Sequence, residues 1–107
     1  AFYGKAAIYA DKPAAAIVSC RRGGATAAFE QLNKYFTISN MPIVSSQYWN
    51  MVHGNTPEQV RQDLEGMQTM RQLGLNMAFL IKSIRLGIEA FGTPKIQEPL
   101  TETHYIR

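Results

Sequence analysis

Two stretches of this chain hold residues whose types and spacing suit chemistry. The first is Ser19-Cys20-Arg21-Arg22-Gly23-Gly24-Ala25-Thr26, set between an apolar run and a helical pattern. A loop leaving the carboxyl end of a buried parallel strand is where open α/β sheets bind ligands. Gly23 and Gly24 carry no Cβ, so their backbone N–H groups can approach a ligand closely. The helix that follows adds unpaired N–H donors and a partial positive charge, and Arg21 and Arg22 add two full ones. The plainer alternative is a tight strand-to-helix turn with solvated arginines. Cys20 invites comparison with a phosphatase nucleophile, but that loop needs an arginine where Thr26 stands, so Cys20 reads as a small buried spacer. The second stretch is QYWNMVHGN, residues 47–55. Tyr48 and Trp49 suit stacking on a flat ring, and equally suit closing a core or a dimer interface. His53 can hydrogen-bond a carbonyl or a nicotinamide nucleotide. Asp63 and Glu65 sit near a helix start and fit its macrodipole without a catalytic role; no residue is assigned as catalytic.

These stretches must be positioned by the elements around them. Residues 1–12 show no strict period; Tyr3, Ile8 and Tyr9 suit the end of a helix, broken at Asp11-Lys12-Pro13. Residues 14–20 are a short apolar run that reads as a strand buried on both faces. A helix follows over 27–36, with Ala28, Leu32, Tyr35 and Phe36 at helical spacing and Phe29 on the margin; Ser39-Asn40 end it. Residues 42–48 read as a second strand and 50–55 as a loop. Thr56-Pro57-Glu58-Gln59 opens a helix, with Thr as N-cap, Pro first, and Gln as half of a capping box. From Val60 to Phe91 apolar residues step by three or four. Unbroken, that helix runs roughly 50 Å, against a radius of gyration near 13 Å for a compact 100-residue domain. The helix must therefore break, around Gly66 or Gly74, or project onto a partner subunit. The reading chosen is a short helix near 57–64 and a long one near 66–91, then an extended arm to Arg107. Strand, helix, strand, helix argues an α/β fold with a parallel sheet. Two strands cannot bury their own faces and edges, so the chain reads as part of a larger sheet.

Composition narrows the classes. The 107 residues are 46% hydrophobic and 18% charged, which excludes a wholly disordered chain. The single cysteine excludes an internal disulfide, and with His53 and His104 it falls short of a four-ligand structural zinc site. A net charge of +3, spread along the chain, argues against a nucleic-acid partner. No window approaches the ~20 apolar residues of a membrane span. The expectation is a cytoplasmic chain, and a start at Ala1 suggests a processed or excised product.

The run KPAAAIVSCRRGGATAAFEQLNKYFTISNMPIVSSQYWNMVHG, followed by DLEGMQTMRQLGLNMA, resembles the C-terminal half of flavodoxin-like proteins of the NADPH-dependent FMN reductase family. The glycine pair after the strand, the YWN loop and the EG…LG…N helix occur together and in order. The resemblance implies a doubly wound parallel sheet of five strands, with residues 1–107 as the C-terminal half of one flavodoxin-like domain. It implies FMN and NADPH as cofactors, with electrons passed to flavin, quinone or a similar small acceptor. Ser19, Cys20, Arg21, Arg22, Gly23, Gly24 and Thr26 would lie against the flavin ring and ribityl chain, with Trp49 joining from the second loop. The family's Ser- and Arg-rich phosphate loop has no counterpart here, which implies a missing N-terminal half as partner. The chain alone is therefore expected not to stand as a monomer that retains FMN. Family members are commonly homo-oligomers. The alternatives are an FMN electron carrier or regulator without a nicotinamide site, and a non-flavin anion-binding module built on the glycine loop.

Overall fold

The computed structural model describes residues 6–94, 98–99 and 101–103. Its elements are α1 (Ala6–Tyr9), β1 (Val18–Cys20), α2 (Ala25–Ile38), β2 (Met51–His53), α3 (Pro57–Gln62) and α4 (Leu64–Phe91). Tyr3 and the last residues of the expected arm, His104 to Arg107, lie outside the described residues. Among the described residues no helix is long and apolar enough to cross a membrane.

β1 and β2 pair in parallel, with Val18 opposite Met51, Ser19 opposite Val52 and Cys20 opposite His53. The mixed α/β class with a parallel pair is thus present. Residues opposite each other in a parallel ladder share a face, and neighbours along a strand alternate. On one face Val18 and Met51 pack with Ala25 of α2, joined by the partly buried Cys20 and Phe29. On the other, Val52 meets α4 at Gly66. α4 starts beside the carboxyl end of β2 and runs back until Ile84 and Ile88 lie near Asp11, Lys12 and Pro13.

The two strands differ from their expected form. Ala14, Ala16 and Val18 are buried, but Ile17 is 59% exposed and Ser19 is exposed. Residues 14–20 are therefore covered on one face only, because α4 shields β2 rather than β1. The second strand is displaced: Ile43 makes an isolated bridge to Ala14, and the ladder resumes only at Met51–His53, where a loop is expected. The chain takes four residues from Ala14 to Val18 and eight from Ile43 to Met51. The surplus forms a bulge over residues 44–50, with Val44 and Asn50 buried at its ends and polar side chains tying it down. Asn50 Nδ2 donates to Ala16 O at 3.1 Å, Ser46 Oγ to Thr69 O at 2.7 Å, and Asn76 Nδ2 to Ser45 O at 2.8 Å.

The helices follow the sequence more closely. α2 ends at the expected Ser39-Asn40, with Asn40 left-handed at φ 57°. Met41 N–H donates to Phe36 O and Asn40 N–H to Thr37 O, the paired bonds of a Schellman motif. Its inner face is Ala25, Phe29 and Phe36, whereas Ala28, Leu32 and Tyr35 are exposed, so the helix is rotated from the expected face. Thr56 caps α3 by accepting from Gln59 N–H. Gln59 Oε1 reaches back to Asn55 N–H, one residue before the partner a capping box would choose. The long helical pattern breaks at Asp63, which both ends α3 and caps α4.

Candidate functional site

The two chemistry-bearing stretches meet at the carboxyl ends of the strands. Gly54 N–H donates to Cys20 O at 3.0 Å, which fastens the second loop to the first. Gly24 is the N-cap of α2 and is left-handed at φ 91°, a conformation that costs glycine nothing. It offers no capping side chain, and a Cβ there or at Gly23 would meet nothing within 4 Å. The first N–H groups of α2 therefore open outward beside Thr26. Arg21 and Arg22 flank them, both exposed.

A groove of about 280 Å³ lies beside this opening, lined by Thr26, Tyr48, Trp49, Met51, His53, Asp63, Glu65 and Gly66. Tyr48 and Trp49 form its aromatic rim, with ring centroids 5.1 Å apart at a 49° tilt. Trp49 is 53% exposed, so its ring closes no core among the described residues. Of the expected site residues, Thr26 and Trp49 line the groove. Arg21, Arg22, Gly23 and Gly24 form an exposed loop after β1, and Ser19 is exposed within β1 itself; none of these lines the groove. Cys20 packs against Val18, Ala25 and Met51. The spacer reading of Cys20 matches that place.

The floor of the groove is held by Asp63. Its Oδ1 accepts from Gly66 N–H at 3.0 Å and its Oδ2 from His53 N–H at 2.8 Å. The same Oδ2 lies 3.7 Å from His53 Nδ1, an ion pair when the imidazole is protonated. Backbone donation, first from Gly66 and then from His53, holds the Asp63 carboxyl below its ordinary range against a smaller opposing effect of burial. A carboxylate so held joins β2 to α4. Sequence reasoning gave Asp63 and Glu65 to the helix dipole and missed their place in the groove. The available signal was an aspartate three residues before Gly66, at a point where the helix had to break.

A flavin ring can be tested against this arrangement. An open helix start and a hydroxyl at Thr26 suit the carbonyl edge of a flavin, where negative charge collects on reduction, and a half-exposed aromatic pair suits stacking on its flat, electron-poor oxidised ring. The cations nearest the opening, Arg21 and Arg22, sit in an exposed loop rather than in a cradle shaped for a phosphate. These groups could serve a ring, and none of the described residues around them forms a cradle for a phosphate. No family model matches the chain, and no similar curated protein or solved structure is found for it.

Proposed function

We propose that this chain supplies the ring side of an FMN site in an oxidoreductase that takes electrons from NADPH and passes them to flavin, quinone or a similar acceptor. The rest of the doubly wound sheet, with the phosphate loop, comes from a complementary segment alongside β1. The observation that carries this reading is the groove at the start of α2, where an uncapped helix start and Thr26 lie beside the Tyr48–Trp49 pair that the bulge before β2 carries there. Bound FMN would supply the redox chemistry itself. The chain's part is to donate N–H groups from the start of α2, to offer the Thr26 hydroxyl, to present the Trp49 face, and to balance negative charge with Arg21 or Arg22.

The single tryptophan makes the test direct. Lumiflavin, riboflavin and FMN are titrated against the chain while Trp49 fluorescence is followed. The expected result is weak but saturable quenching by all three with similar midpoints, because the chain holds only the ring side and the phosphate has no cradle here. Absence of saturable quenching by any of them overturns the assignment. Where flavin binds, bleaching of its yellow absorbance by NADPH separates a reductase from an electron carrier.

A further inference from the structure

A second cleft, of about 530 Å³, lies between α2 and residues 43–50. A cavity of that size is ample for a small molecule. It shares only Tyr48 and Trp49 with the groove at the start of α2, so that aromatic pair is the wall between the two. Ile43 bridges Ala14 from the side of β1 that β2 occupies. A strand added at the open edge of β1 therefore leaves this cleft uncovered.

Asn33 stands on the α2 wall of the cleft, one turn after the partly buried Phe29. Its Oδ1 is shut off from solvent and has no hydrogen-bond partner. Among the described residues nothing accepts from its Nδ2 either. A covered carbonyl without a donor destabilises the fold, and asparagine is a poor residue for a helix interior. Leucine would serve this wall better on both counts. Positions that break local rules at a cost in stability are where function is expected.

The idle carboxamide selects its ligand. Its two ends pair together with an edge that sets an N–H donor beside a carbonyl acceptor, as a lactam does. Rotation about Cβ–Cγ carries Oδ1 out of its cover, so a ligand of this kind satisfies an unmet carbonyl rather than creating one. No acid, lysine, arginine or histidine lines the cleft, so the ligand is uncharged. Tyr48 and Trp49, both half exposed, and Phe29 offer ring faces, which suits a flat heterocycle.

We propose that this cleft is a second binding site, in which Asn33 recognises an uncharged flat heterocycle by its lactam edge, of the kind that the base of a pyrimidine or purine nucleoside presents. The site does not depend on the flavin reading.

Uridine and inosine, titrated into the isotope-labelled full chain, test it by nuclear magnetic resonance. The readout is the side-chain amide of Asn33, because Trp49 borders both sites. Both nucleosides should shift that resonance saturably. Methylation of the uracil N–H, as in 3-methyluridine, should weaken binding about fivefold or more. The nucleotide UMP should bind no tighter than uridine, since no cation lines the cleft. In Asn33→Leu the indole N–H of Trp49 should no longer respond to uridine, while the thermal midpoint rises, because an unmet carbonyl gives way to an apolar side chain. Absence of a saturable shift with either nucleoside overturns the proposal. So does 3-methyluridine that binds as well as uridine, or UMP that binds more tightly. A lowered thermal midpoint in Asn33→Leu, or an undiminished Trp49 response there, removes Asn33 as the recognising residue and overturns it as well.

Discussion

At the scale of single residues, Asp63 and Gly66 work as one joint. Asp63 ends α3, caps α4 and ties His53 to the helix start, and it does so from a position that lets α4 approach β2. The approach is close: a Cβ on Gly66 would stand 2.9 Å from Val52 Cγ1 and would collide with the Asp63 carboxylate. Gly66→Ala gains helix propensity but has to push β2 and the cap apart. A net loss of about 1–3 kcal/mol is expected in urea unfolding, and unchanged or raised stability would show that the joint is loose. The acid limb of stability should report on Asp63. Its folded carboxyl titrates below the unfolded value, so its contribution is complete above the ordinary range near about pH 3.9 and is lost as the pH falls through the folded value. Asp63→Asn keeps a capping oxygen and removes the charge. The variant should lose stability less steeply than wild type below about pH 4, and parallel acid limbs would assign the effect to other carboxyls.

At the scale of elements, the bulge of residues 44–50 shows what the sequence could and could not convey. Helices were legible because their ends carry local signatures: Ser39-Asn40, Thr56-Pro57 and Asp63 each act within a turn or two of their own position. The second strand was not. Ile43, Val44, Tyr48 and Trp49 have β-forming side chains, yet register belongs to the pairing with β1, and no local signal announces that eight residues will span what four span opposite. The face of α2 was misread for a similar reason, since Leu32 and Tyr35 are as apolar as the residues that the sheet selects. The site divides in the same way. The glycine loop and the aromatic pair stood out by residue type, whereas the groove exists only because the bulge carries Trp49 toward the start of α4. Asn50 is the hinge pin of that bulge: it is 2% exposed, and its amide replaces a missing ladder bond by donating to Ala16 O. Asn50→Ala leaves that carbonyl without its donor and should cost about 1–3 kcal/mol. Thermal unfolding measures this, and a shift no larger than that of an exposed Asn-to-Ala control would mean that solvent replaces the bond.

At the scale of the whole molecule, the described chain is a plate rather than a ball. Its extents are 51 × 45 × 22 Å and its radius of gyration is 17.3 Å, well above the ~13 Å of a compact domain this long. The two edges of its sheet are unlike. On β2 the outward N–H groups are already used, Met51 donating to Trp49 O and His53 to Asp63 Oδ2. That edge is closed by the chain's own turn and carboxylate, a device that prevents further pairing. On β1 the inward positions Val18 and Cys20 bond across to β2, which turns the amides of Ile17 and Ser19 toward the open edge. Ile17 also carries its exposed side chain on the face that α4 leaves bare. The sheet therefore has one direction in which to grow, and a complementary strand should add beside β1 and not beside β2. Amide hydrogen exchange resolves the alternation. In the chain alone, Val18 and Cys20 should exchange slowly while Ile17 and Ser19 exchange fast. A partner segment that completes the sheet should slow Ile17 and Ser19 and leave Met51 and His53 unchanged. Protection that appears first at Met51 and His53 would place the added strand on the other edge and reverse the order of the sheet.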